Sequence, residues 1–481
     1  MLLATALSGR CVRGNKGEEM QKVKTRVEFV CTSCENVTVK WEGQCRSCSA
    51  WNTIIERADA GRHGWLRNES SSAVHLADAS TEDLPRMALS SGEVNRVLGG
   101  GIVPGSLVLL AGDPGIGKST LLLQIAAEVA KERSSVFYVT GEESVSQVKM
   151  RADRLGIDGQ NLYILTHTNV EETLAQLDRQ PPALAVIDSI QTMYDPSLSS
   201  QPGNVSQIRE CARRLLEWGK ANNVPLILTG HVTKGGDIAG PRVLEHMVDV
   251  ALYMEGDAVS SWRLLRAVKN RFGSTNEVGV LEMTGLGLRD VADPSESFLL
   301  DRPKGAMGSV VVPVLEGNRA LLVEIQALTA PSTIPTPRRV ATGYDSHRLL
   351  LACSVAMRTC GIPLADYDVI VNVTGGLKIA EPAADLGVAL AIASSFRSVP
   401  MPEDVAVVGE IGLSGEIRRA PQTERRVKEA ARLGFRKCLV PGNTDDRSSG
   451  GEALHYQRVD TLTQAINMCL PITRRISEAV A

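Results

Sequence analysis

Residues 112–119 read Gly-Asp-Pro-Gly-Ile-Gly-Lys-Ser, a spacing that suits a triphosphate. Glycines let backbone N–H groups converge on phosphate oxygens, and a helix N-terminus placed behind them adds partial positive charge. Lys118 is then expected to reach the β- and γ-phosphates, and the Ser119 hydroxyl to hold Mg²⁺. The expected nucleotide-binding set is Gly112, Asp113, Pro114, Gly115, Ile116, Gly117, Lys118, Ser119 and Thr120. Leu184-Ala-Val-Ile-Asp188 is an apolar run ending in an acid that would share the Mg²⁺ shell. Gly141-Glu142-Glu143-Ser144 follows another apolar run, and one of its glutamates is placed to polarise water for attack on the γ-phosphate. Glu142 is favoured, with Glu143 the alternative. His231 ends the run Pro225–His231 and could sense the γ-phosphate; a histidine bonded to a carbonyl is the plainer reading.

Two further constellations carry chemistry. Cys31-x-x-Cys34 and Cys45-x-x-Cys48 can place four thiolates around one Zn²⁺, a closed and therefore structural site. Ligation would supply the stability that so short a segment cannot get from burial, with Trp41 and Trp51 free to pack on the knuckles. Lys269 and Arg271, flanking Asn270, could reach a neighbouring subunit's γ-phosphate as a finger supplied in trans, or could be a basic surface turn. The polar stretches 194–209 and 233–242 have the composition of loops that track a nucleic-acid backbone, and equally of ordinary flexible loops. They contribute Gln207, Arg209, Lys234 and Arg242 as candidate DNA contacts.

The elements that must position these groups follow from periodicity. Ser106–Ala111 is an apolar run of strand length, and Leu121, Leu122, Ile125, Ala126 and Val129 fall at helical spacing behind it. From about Ser90 to Asp290 such runs alternate with amphipathic helices, the pattern of a parallel-sheet α/β domain. The expected organisation is a C4 zinc finger at 27–56, a linker at 57–85, the ATPase domain at 86–293 and a second α/β-type block at 308–481. Hydrophobic residues make up 43% of the 481 and charged residues 22%, an ordinary globular balance. A net charge of −3 gives no global nucleic-acid signature, so any DNA contact must come from local basic loops. No apolar run reaches bilayer length, so no membrane partner is expected. Ten cysteines without a convincing secretory signal point to a reducing compartment, where metal binding outranks disulfides. The start is too weakly apolar for a signal peptide, and its acids disfavour a transit peptide; Met1 and Met20 are alternative starts.

Taken together these residues resemble the bacterial RadA (Sms) DNA-repair ATPase family. The resemblance runs from residue 27 to about 470. It rests on the four-cysteine finger, Arg96–Gly105, GDPGIGKST, the run Gly230–Asp249 and the KNRFG motif at 269–273. One departure is Glu35, where the family's glycine would ease a positive-φ knuckle. The resemblance implies a RecA-like P-loop core with ATP, Mg²⁺ and Zn²⁺, and DNA-stimulated hydrolysis that drives branch migration of recombination intermediates. It implies a cytoplasmic hexameric ring with single-stranded or branched DNA in its channel, and the RecA recombinase filament as a further partner. Under it, the trans-finger reading of Lys269 and Arg271 and the DNA reading of the two loops both gain. An ATP-gated adaptor that binds DNA or a recombinase without translocating is the alternative.

The C-terminal block resembles the Lon protease domain through Gly409–Ile417 and the helix Glu381–Ala393. Alanine stands where the nucleophilic serine would fall, within Glu381-Pro-Ala383-Ala384-Asp385, and Glu424 stands at the lysine. Ser394 and Ser395 have no obvious base. Proteolysis is not expected, and the fold class is α/β with an α+β Lon-like domain.

Overall fold

A computed structural model describes residues 27–31, 37–38, 43–46, 48, 50–51, 53–58, 85–231, 242–256, 261–444 and 455–471, with backbone only at 27–31, 37–38, 54–58 and 242. By contacts the chain divides into two units, Met1–Ala79 and Ser80–Ala481.

The first unit is a three-stranded antiparallel sheet. Its strands are β1 (Val27–Cys31), β2 (Val37–Thr38) and β3 (Ile54–Ala58), in the order β2-β1-β3. β3 therefore extends two residues into the expected linker. Cys31 closes β1, opposite Ile54. Cys45 is buried, and its N–H donates to Ala50 O (2.9 Å), closing the second knuckle through Cys48. Trp51 does not bury against it: the ring is 70% exposed. Cys34 and Trp41 lie outside the described residues, as do Glu35 and most of the linker.

The second unit opens with α1 (Gly92–Leu98), capped by Ser91 and closed by Gly99 in the left-handed region. Five β-then-α steps follow: β4 (Leu107–Gly112), α2 (Lys118–Glu132), β5 (Val136–Thr140), α3 (Val145–Arg154), β6 (Leu162–Leu165), α4 (Val170–Arg179), β7 (Leu184–Asp188), α5 (Val205–Asn222), β8 (Leu226–His231) and the short α6 (Arg242–Glu245). Then come β9 (Val250–Glu255), β10 (Trp262–Asn270), β11 (Val278–Thr284) and β12 (Gly287–Asp290). They form one sheet in the order β12-β11-β10-β9-β4-β8-β7-β5-β6. The six strands from β9 to β6 run parallel, whereas β10, β11 and β12 continue the sheet antiparallel. The expected parallel sheet is thus present from β9 to β6, and three antiparallel strands extend it. Apolar alternation marks a strand but carries no sign of its direction.

All residues of β4, β5 and β7 are buried, as expected of strands covered on both faces. Leu121, Leu122, Leu123, Ile125, Ala126 and Val129 of α2 pack with Val108, Leu110, Tyr138 and Val186 in one core.

The stretch expected to separate the blocks instead holds α7 (Pro294–Leu299), capped by Asp293. A seven-stranded sheet follows, with β13 (Ser309–Glu316), β14 (Arg319–Pro331), β15 (Arg339–Thr342), α8 (Ser346–Cys360), β16 (Tyr367–Val373), α9 (Asp385–Arg397), β17 (Val405–Val407), the small pair β18 (Glu410–Ile411) and β19 (Ile417–Arg418), α10 (Thr423–Arg432), β20 (Lys437–Pro441), β21 (His455–Val459) and α11 (Leu462–Cys469). Its order is β15-β16-β14-β13-β17-β20-β21, with α9 buried along nearly its whole length. Leu264, Val278 and Val280 of the ATPase sheet, and Val291 just after it, share a core with this block. Ion pairs Arg319–Glu93 and Arg266–Glu316 tie the two together. The block also reaches the phosphate loop: Gly376 and Lys378 share a cleft of about 360 Å³ with Asp113 and Ile116.

At the protease-like positions, Ala383 and Ala384 are buried and Glu424 is exposed in a pair with Lys428 (2.7 Å). Ser394 Oγ donates to Val399 O (2.6 Å) and accepts from Gly308 N (2.8 Å), while Ser395 Oγ accepts from Thr329 N (2.9 Å). Both hydroxyls hold the backbone together.

Candidate nucleotide site

β4 sits at the centre of the sheet, and its C-terminal end turns directly into the glycine loop. Gly112 has φ +156, and a Cβ there would stand 2.5 Å from Met254 O on the neighbouring strand. Gly117 has φ +117 and begins α2; a Cβ there would meet Met283 Cε at 2.5 Å. Both positions therefore demand glycine. No side chain caps α2, so its first N–H groups stay available to an anion. From β10, the buried Arg263 donates Nε–H to Ile116 O (2.8 Å) and fixes the loop's far side. Asp113, Pro114 and Gly115 are exposed, and Ser119 and Thr120 half-buried. Lys118 is buried, donating Nζ–H to Gly112 O and Asp113 O at 2.9 Å each. Burial holds its pKa below the usual lysine range, against the pull of the Asp188, Glu142 and Asp113 carboxylates.

Parallel pairing brings the other groups to the same edge. The register sets Gly112 beside His231 and Thr140 beside Asp188. Asp188 is buried, and each carboxylate oxygen takes a hydroxyl: Tyr138 donates to Oδ2 (2.5 Å) and Thr229 to Oδ1 (2.7 Å). Burial and this carboxylate push the Tyr138 phenol well above its ordinary pKa. Glu142 Oε1 accepts from Ser189 Oγ (2.6 Å) and lies 3.1 Å from His231 Nε2. The His231 hydrogen bond is the main reason the Glu142 pKa falls to about 2; burial opposes it, and Ser189 and Lys118 assist. Glu143 turns away to an ion pair with Arg151. The two glutamates that the sequence left as alternatives are thus separated by their partners, and only Glu142 joins the cluster with Lys118.

Sequence reasoning missed Ser189, Tyr138 and Thr229. Tyr138 reads as one more core residue of an apolar run. A hydroxyl next to, or two residues before, a strand-terminal acid or histidine is the only signal, and it is a weak one.

A carboxylate lowered in the folded protein adds stability above its ordinary pKa of 4.5 and loses it as pH falls toward 2. Replacing His231 with Ala removes the largest lowering influence. The acid limb of the pH–rate profile should therefore move up toward the ordinary carboxylate range. An unmoved limb would show that Glu142 is not the group the profile reports.

Lys269 and Arg271 are not brought to this cluster. Lys269 Nζ donates to Glu245 O (2.8 Å) and His246 O (3.1 Å), and Arg271 pairs with Asp249 (3.1 Å). Because β10 runs antiparallel, its end lies beside the start of β9, at the edge opposite the phosphate loop. The length of β4 separates the two edges, about 17 Å at 3.3 Å per residue.

Gln207 must be withdrawn as a DNA contact. It is buried, with Oε1 accepting from Asp195 N (2.7 Å) and Nε2 donating to Ser200 O (2.7 Å), so its amide staples the 195–200 loop. Asp195 is held below the usual carboxylate range despite burial, by Ser197 and Arg214. This loop is therefore not the free polar segment its composition implied. Arg209 is exposed on the first turns of α5. Lys234 and the loop around it lie outside the described residues, and Arg242 starts α6 with only its backbone described.

A glycine loop with free helix N–H groups and a buried lysine, beside a buried acid and a restrained glutamate, defines a P-loop ATPase. Comparisons with known proteins agree: the family described as "AAA domain" matches residues 74–237. "Rubredoxin metal binding domain" matches 29–56, across all four finger cysteines, and "Subunit ChlI of Mg-chelatase" matches 352–444. The DNA repair protein RadA of Bacillus subtilis is 45% identical over 454 residues, 93% of this chain and 99% of that protein. Those of Halalkalibacterium halodurans and Pseudomonas aeruginosa are 47% and 46% identical, over 93% and 92% of this chain and 99% of each protein. The chain belongs to the RadA family of DNA-repair ATPases. Its fold is a RecA-like P-loop domain between an N-terminal zinc ribbon and a C-terminal Lon-like domain, and no described helix is long and apolar enough to cross a membrane.

Proposed function

We propose that this chain hydrolyses ATP in response to DNA and uses the cycle to move branch points in single-stranded or branched DNA during homologous recombination. It works as a hexameric ring in the bacterial cytoplasm, with the RecA filament as a partner. The observation that carries this is the division of the site between two sheet edges. Lys118, Glu142, Asp188 and His231 gather at one edge, and Lys269 and Arg271 stand at the other. Such a pocket is completed only by a second copy, whose KNRFG cations meet the γ-phosphate.

Within one subunit, the loop N–H groups and Lys118 hold the phosphates, and Ser119 with Asp188 would hold Mg²⁺. Asp188 fits that ion through bound water, since both its oxygens already accept a hydroxyl. When bound, the ion neutralises charge on the β- and γ-phosphates. A carboxylate with a pKa near 2 is a weak proton acceptor at neutral pH. Glu142 therefore acts chiefly by orienting the attacking water, with His231 and Ser189 fixing its angle. Cys31, Cys34, Cys45 and Cys48 hold structural Zn²⁺. An all-thiol set on two knuckles, the second closed by the Cys45–Ala50 hydrogen bond, suits that metal. Arg209, Lys234 and Arg242 contact the DNA backbone, and the Lon-like block is a scaffold without peptidase chemistry.

The test is ATP turnover by the full chain with and without single-stranded DNA, alongside a fluorescent branch-migration assay. Turnover that rises with DNA, together with a moving branch point, is expected. DNA-stimulated turnover with a static branch point would leave an ATP-gated adaptor instead, and turnover blind to DNA would sink both readings.

A further inference from the structure

We infer that Asp249 is a positioning residue for the Arg271 finger, linking it to the root of the phosphate-loop strand. The inference rests on the trans-finger reading above and extends it to a residue outside the KNRFG motif. Asp249 is buried at the junction between α6 and β9. Its Oδ2 accepts from Leu107 N (3.0 Å), the first residue of β4, and its own N–H donates to Leu107 O (2.9 Å). Its Oδ1 accepts from Arg271 Nη1 (3.1 Å), and its carbonyl accepts from Arg271 N (3.1 Å). One residue therefore holds the backbone and the guanidinium of Arg271 while clasping, on its other side, the strand that ends in Gly112. Lys220 Nζ lies 3.9 Å from the same Oδ1, and the Lys269 ammonium also feels this carboxylate.

The rest of the motif is anchored separately. Asn270 Nδ2 donates to Val97 O (3.1 Å), and its Oδ1 accepts from Phe272 N (2.9 Å). Arg86 holds Phe272 O (2.9 Å). These bonds fix where the turn sits but leave the Arg271 side chain free to rotate. Asp249 supplies the charge that selects one direction for it. A buried carboxylate is rigid on a strand-bound backbone, so it sets the guanidinium's angle more tightly than solvent would.

Asp249→Asn keeps an acceptor for Leu107 N and removes the charge facing Arg271. The expected result is a fall in DNA-stimulated kcat on the order of 10²-fold, the cost of a misplaced catalytic group. KM for ATP and the melting temperature should stay near wild type. A purely structural defect is separated by mixing subunits. Lys118→Ala subunits have a dead pocket of their own but an intact finger. Mixed with Asp249→Asn subunits, they should restore turnover above either protein alone, as they should with Arg271→Ala. In addition, Asp249→Asn placed in the Arg271→Ala background should cost nothing further. Rescue of Arg271→Ala but not of Asp249→Asn would overturn the positioning role and leave the trans finger standing. Rescue of neither would overturn the trans finger itself. Should the Asn variant fail to fold, Asp249→Ser, which retains a short acceptor near Leu107, takes its place in the same mixtures.

Discussion

Lys118→Ala is expected to fold normally and to lose ATP turnover by roughly 10²–10³-fold, the usual effect of removing one group aimed at developing charge. The folding half follows from what the ammonium does in the protein. It donates to Gly112 O, the last residue of β4, and to Asp113 O, so it ties together only the two ends of its own loop. Its burial already disfavours the charged form, so truncation also removes a desolvation cost. The strand behind the loop and the helix after it are held by β8, β9 and the α2 core, none of which needs the lysine. The catalytic half follows from its neighbours. Asp188, Glu142 and Asp113 all press negative charge toward the same point, and without the lysine they would repel a triphosphate. Steady-state turnover beside a thermal melt checks both halves. Turnover at the wild-type rate would remove the phosphate role from Lys118.

How much of this could be read in the sequence depended on the kind of constraint. The phosphate loop was legible because backbone geometry dictates residue type: Gly112 and Gly117 sit where any Cβ would strike Met254 or Met283. Asp188 was legible as an acid ending an apolar run. Its hydroxyl partners were not, because Tyr138 and Thr229 come from two other strands and meet only through sheet order. Glu142 was favoured over Glu143, but the contacts that part them were not legible. One residue of spacing cannot say which carboxylate faces Ser189 and His231 and which faces Arg151. Gln207 misled for the same reason. A glutamine in a polar stretch looks solvated until the chain folds back and gives its amide three carbonyls to hold. The antiparallel turn at β10 was hidden as well, and it is what places Lys269 and Arg271 far from their own phosphate loop.

That distance makes Arg271→Ala the second substitution with a large expected effect. A finger that stabilises charge on the transferring phosphoryl group contributes about 10³–10⁵ in rate, so turnover should fall by at least the lower figure. Stability should scarcely change. The side chain is half exposed, and its ion-pair partner Asp249 keeps the hydrogen bond from Leu107 N when the guanidinium is gone. Binding of a fluorescent ATP analogue should persist, because every group proposed to hold the nucleotide in cis lies at the opposite edge of the sheet. The predicted signature is thus a collapse of kcat with affinity and melting temperature retained. Arg271→Lys should recover little of it, since an ammonium lacks the planar fork that spans two phosphate oxygens. Lys269 offers no substitute from its place in the structure, with its ammonium resting on the Glu245 and His246 carbonyls. If turnover instead survives while nucleotide binding weakens, the cation serves its own subunit. The 17 Å between the two edges would then have to close by a rearrangement within one chain, and no second copy would be needed to complete the pocket.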